Sequence, residues 1–112
     1  MFVGSGYVRV AGTSEIPVGK MKAVEVEGND ILIANVNGNY YAINNKCGHA
    51  GGNLSQGVLD GNVVTCPNHH AKLDVTTGKL VSKPKIGFLH VNAKDESTYQ
   101  VKVENENIMV KI

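Results

Sequence analysis

Two cysteines and two histidines, arranged as two short pairs, constrain this chain more than any other feature. Cys47-Gly48-His49 is followed, sixteen residues later, by Cys66-Pro67-Asn68-His69, and the sequence has no other cysteine. Thiolate sulfur and imidazole nitrogen are soft or borderline donors, suited to zinc or to iron–sulfur chemistry. Structural zinc sites favour cysteines paired as C-x-x-C with the histidines elsewhere. Here each loop supplies one sulfur and one nitrogen. That suits a dinuclear cluster with one iron on two cysteines and the other on two histidines.

The rest of the chain reads as strands. Tyr7-Val8-Arg9-Val10 alternates, and Ala11 to Gly19 reads as a loop punctuated by Pro17 and Gly19. Lys20 to Glu27 alternates again, Gly28-Asn29-Asp30 is turn chemistry, and Ile31 to Val36 is an apolar strand. Asn37-Gly38-Asn39 is the plainest hairpin turn, because Asn and Gly tolerate positive φ. Tyr40 to Asn44 returns and feeds the first Cys-x-His loop. Asp60-Gly61 predicts a hairpin between Val58-Leu59 and Asn62 to Thr65, so the second loop hangs from a hairpin strand. Ala71 to Val75, Lys79 to Val81 and Phe88 to Val91 continue the β pattern. Tyr99 to Val103 and Ile108 to Ile112, around Glu104 to Asn107, predict a closing hairpin. No stretch carries a sustained helical stripe. The expectation is an all-β chain: one domain over residues 1–112, a small antiparallel sandwich or barrel whose base is built from both ends of the chain.

The pattern C-x-H, sixteen residues, C-P-x-H resembles that of Rieske-type 2Fe–2S proteins. Asp74, Thr77-Gly78-Lys79 and Pro84 are similar to the family's D-x-x-T-G and proline-loop landmarks, and Gly38 to Ile43 resembles the strand before its first ligand loop. The resemblance implies a Rieske fold, with about Asn45 to Lys85 inserted as the cluster-bearing subdomain. It implies Cys47 and Cys66 on one iron and His49 and His69 on the other, holding one 2Fe–2S cluster. It also implies a potential within the Rieske range of roughly −150 to +300 mV. High-potential members add a disulfide and a serine and tyrosine that bond to cluster sulfur. Gly52, Asn68, Ala71 and Leu73 stand at those positions, so the low end is expected, as in the ferredoxins of ring-hydroxylating dioxygenases. His70 directly follows a ligand position and is read as an exposed neighbour, since C-P-x-H already ends on His69. Gly48, Gly51 and Gly52 fit either close approach of backbone N–H groups to sulfide or simple tight turns, whereas Gly61 and Gly78 read as tight turns.

Composition limits what such a chain does. The 112 residues are 42% hydrophobic, enough for a modest core, and net charge is +1, which argues for neither nucleic acid nor a membrane surface. From Lys46 to Lys85, five lysines stand against two aspartates, so a basic rim steering acidic partners competes with scattered solvated lysines. No apolar run reaches membrane-span length, and both cysteines are spoken for as ligands, so a soluble, cytoplasmic monomer is expected. No nucleophile–base pair, second metal motif or nucleotide-binding glycine motif appears, so no enzymatic activity of its own is expected. The leading expectation is a one-electron carrier between an upstream reductase and a downstream oxygenase or oxidase. The alternatives are a Rieske-like small subunit of a nitrite-reductase-type enzyme, or a structural zinc module.

Overall fold

The computed structural model describes residues 6–46, 53–67, 71–82, 85–86, 89–90 and 96–112. These form thirteen strands and two single 3₁₀ turns, Thr13–Glu15 and Leu54–Gln56. The middle of the molecule is a four-stranded antiparallel sheet. β2 (Met21–Val26) pairs with β3 (Asn29–Val36), β3 with β4 (Asn39–Asn44), and β4 with β11 (Thr98–Tyr99). A second sheet joins β1 (Tyr7–Gly12), β13 (Asn107–Lys111) and β12 (Val101–Glu104), so both ends of the described chain meet in one layer. A third sheet runs in chain order through β5 (Val58–Asp60), β6 (Val63–Thr65), β7 (Lys72–Asp74) and β8 (Leu80–Ser82). β9 (Lys85–Ile86) and β10 (Leu89–His90) make a separate two-stranded pair.

The strand β3 explains how the layers stack. Ile31 to Asn35 are buried without a break, because both faces of this strand are covered. Its side chains still alternate. Leu32 and Ala34 join Ile43 of β4, Leu54, Val64, Cys66, Ala71, Leu73 and Val75 in one core. Ile31 and Ile33 join Ala42, Ala11, Ile16, Ile108 and Val110 in the other. A period of two thus feeds two cores from one strand. It also explains the unbroken apolar run, since a half-exposed strand would interleave polar residues.

The turns follow their residues. Asn37 (φ 55) and Gly38 (φ 92) both adopt positive φ between Val36 and Asn39, the signature of a two-residue hairpin loop whose twist matches its strands. Several boundaries differ from the sequence expectation. Ala11 and Gly12 continue β1 through a register shift after Arg9, so the following loop is shorter than its composition suggests. The turn before β3 is Glu27–Gly28, and Asn29 and Asp30 already pair with Val26 and Glu25. In the same way the β5–β6 turn falls on Gly61–Asn62, because Asp60 pairs with Val63. Tyr99 to Val103 is not one strand. Tyr99 pairs with Ala42 and Val101 with Val110, so the chain changes sheets at Gln100.

Candidate metal centre

Strand β6 ends at Thr65, and Cys66 follows with its side chain fully buried. Its backbone N–H donates to the carbonyl of Ala71 at 2.7 Å, which closes the neck of the second loop just where β7 begins. The side chains clustered with it, among them Val64, Ala71, Leu73, Leu32 and Ile43, are apolar. A sulfur in such surroundings is shielded from water and oxidants, which suits a resident metal ligand.

The neck of the first loop is closed differently. Lys46 and Asn53 form an antiparallel bridge, and the Leu54 N–H donates to the Asn45 carbonyl at 2.7 Å. Leu54 itself is buried in the core that holds Cys66. Asn45 is 2% exposed and ties this neck to the start of β3 through Asp30. Cys47, His49 and His69 lie outside the described residues, as do Gly48, Gly51, Gly52, Asn68, His70 and Pro84. Of the four expected ligands, the geometry therefore speaks for Cys66 alone.

Two glycines permit close backbone approach, one within the small sheet and one between it and the segment before β11. A Cβ on Gly57 would lie 1.9 Å from the Thr65 carbonyl oxygen, one residue before Cys66. Gly78, at φ 78, would place a Cβ 2.2 Å from the Glu96 carbonyl oxygen, while its own carbonyl accepts the Glu96 N–H at 2.7 Å. Gly78 is thus more than a tight turn: it is also a point of contact between backbones. The preceding turn is built on Asp74. Its carboxylate accepts the Thr76 N–H at 2.8 Å, the Thr76 hydroxyl at 2.6 Å and the Asn62 amide at 3.0 Å. These bonds, the Thr76 hydroxyl first, outweigh partial burial and hold the Asp74 carboxyl below its ordinary range. Sequence reasoning found Asp74 and Gly78 as landmarks but passed over Asn45 and Gly57. Asn before a turn and Gly before a strand are too common to single out; their closeness to other segments is a tertiary fact.

The Rieske [2Fe-2S] domain family model matches residues 6–93. The chain belongs to that family. Among curated relatives, it is 36% identical over 106 residues to the ferredoxin component of the naphthalene 1,2-dioxygenase/salicylate 5-hydroxylase systems of Ralstonia sp., with 95% of each chain covered. The fold is similar to the ferredoxin of carbazole 1,9a-dioxygenase from Nocardioides aromaticivorans IC177, with a TM-score of 0.76, 29% identity, and 96% and 98% of the two chains covered. It is also similar, at a TM-score of 0.77 and 26% identity over 96% of this chain and 94% of the other, to a chain in the complex of reduced oxygenase and oxidized ferredoxin in carbazole 1,9a-dioxygenase. The cofactor of this Rieske protein is a 2Fe–2S cluster, so the structural-zinc alternative gives way. The buried Cys66 thiol in its apolar setting fits such a group. Among the described residues no helix is long and apolar enough to cross a membrane.

Proposed function

We propose that this Rieske protein is a one-electron carrier that receives electrons from a reductase and delivers them to a ring-hydroxylating oxygenase. The observation that carries the reading is end-to-end similarity to a ferredoxin component, with 95% of both chains aligned. The cluster, when bound, takes up one electron and gives it back. Cys47 and Cys66 hold one iron, His49 and His69 the other, and residues 45–85 form the cluster-bearing unit on a base made by the remaining segments. The carrier has no substrate site of its own and works in the cytoplasm, where thiol ligands stay reduced.

The surroundings of Cys66 bear on the potential. Ala71 and Leu73 are buried in its core and carry no hydroxyl, so neither can donate to cluster sulfur. Bonds to sulfur favour the more negative, reduced state, and their lack at these positions supports the low end of the Rieske range. Lys46 and Lys72 stand exposed at the two loop necks, Lys72 opposite Thr65, which supports a basic approach surface for an acidic partner.

The decisive experiment is low-temperature EPR of the dithionite-reduced protein, followed by reconstitution with a dioxygenase reductase and oxygenase. A rhombic signal with average g below the free-electron value, and aromatic substrate oxidation that depends on this chain, are expected. A Rieske signal without any electron delivery to an oxygenase would move the protein to the reductase-subunit reading.

A further inference from the structure

Two polar side chains are buried among the described residues, Asn35 and Asn45. Asn35 holds a hairpin: its amide donates to the Ile16 carbonyl at 2.9 Å and its oxygen accepts the Gly38 N–H at 2.8 Å. Asn45 holds something else. Its amide nitrogen donates to both Asp30 carboxylate oxygens, at 3.2 and 3.3 Å. Its side-chain oxygen accepts the Ser55 N–H at 2.9 Å. Its own N–H donates to the Asp30 carbonyl at 2.8 Å, and its carbonyl accepts the Leu54 N–H at 2.7 Å. One residue thus bonds to the start of β3 on one side and to the far stem of the first loop on the other.

We propose that Asn45 is a positioning residue for the cluster: anchored by Asp30, its carboxamide fixes both stems of the first loop and so sets how that loop presents its ligands. This rests on the reading that Cys47 and His49 are those ligands. The polarity of the amide is what makes it suitable. Its donor end faces a carboxylate and its acceptor end faces a backbone N–H, so neither a carboxylate nor an alkyl group satisfies both partners. Burial sharpens this requirement, because water does not replace a lost partner there. The neighbouring Asn44 extends the same anchor. Its side-chain oxygen accepts the Lys46 N–H at 2.9 Å, and its own N–H donates to the Ser97 carbonyl at 3.0 Å.

The test compares the holoprotein with Asn45→Asp, Asp30→Asn and the double variant. The readouts are the EPR g values of the reduced state and the rate at which the visible absorption fades on incubation. Asn45→Asp sets two carboxylates against each other, so shifted g values and roughly fivefold or faster loss of absorption are expected, the scale of one lost hydrogen bond. The double variant restores an amide–carboxylate pair with exchanged roles, and is expected to recover most of both properties. Wild-type g values and fading rate in Asn45→Asp would overturn the proposal, as would a double variant no better than Asn45→Asp. A purely structural residue would lower the denaturation midpoint and leave the g values alone. If Asn45→Asp does not load, Asp30→Ser removes the anchor from outside the loop, and wild-type g values there overturn the proposal. Cys47→Ser, run in parallel, separates the two readings. An intact wild-type signal in that variant sinks the ligand assignment, whereas its loss beside an unaffected Asn45→Asp sinks the positioning role only.

Discussion

The central sheet and the Val58–Ser82 sheet are both four-stranded and antiparallel, yet they stand on different footings. β3 runs eight residues and its neighbours β2 and β4 six each, with a core on both faces. The strands β5 to β8 run three residues each, and Val58 and Val81 are 67% and 57% exposed. What the small sheet buries, Val64, Leu73 and Cys66, it buries against Leu32, Ala34 and Ile43 of the central sheet. The difference teaches where order comes from. A sheet of such short strands has too little surface to stand alone, so it leans on the base through a shared core and through the close backbone contact of Gly78 with Glu96. On the proposed ligand set, metal binding contributes folding free energy to that region first.

The sharpest way to break the comparison is to remove Cys66, the proposed ligand that follows β6. Cys66→Ser is expected to abolish the visible absorption and the bound iron, while the far-ultraviolet β signal of the base persists. Next comes Gly57→Val. Its side chain meets the Thr65 carbonyl, so overpacking of about 1–3 kcal/mol falls beside Cys66. Cluster content should drop several-fold, whereas Gly38→Ala, in a base hairpin, should leave it unchanged; iron analysis of both variants decides. A pair of core truncations sharpens the comparison further. Leu32→Ala and Ile33→Ala should each cost about 2–5 kcal/mol in urea denaturation. Only Leu32→Ala, on the face toward Cys66, should also speed loss of the cluster.

The smallest effect concerns acid. The Thr76 hydroxyl and the Asn62 amide hold the folded-state pKa of Asp74 below its unfolded value. The stability it contributes is therefore complete above the unfolded value, about 3.9, and is lost as pH falls through the lower folded value. Asp74→Asn should flatten the stability profile below about pH 4 and leave it parallel to wild type near neutrality, as followed by urea midpoints at successive pH values.

Much of this was legible in advance, for identifiable reasons. The β3 run, the Asn37–Gly38 turn and the all-β pattern are local signals: side-chain period and backbone permissiveness act over a few residues. The Cys-His spacing pointed to the family that the domain match then showed, because metal chemistry needs such donors at short reach. The change of sheet at Gln100 was not legible, since Tyr99 to Val103 alternates smoothly and only partners distant in sequence divide it. Asn45 was invisible for the same reason. Its meaning lies in Asp30, fifteen positions away, and nothing local marks that distance.

The switch at Gln100 also sets an order in time. β11 completes the edge of the central sheet beside β4, and β12 then crosses to pair with β13, itself paired with β1. Strands β11, β12 and β13 are all made after Cys66, whereas their partners β4 and β1 precede it. At roughly 5–20 residues per second of synthesis, the thiols of the growing chain wait on the order of seconds before the strands that finish the base leave the ribosome. Pairings this remote in sequence are also slow to form. The segment that carries Cys66 is therefore made before the base beneath it is complete.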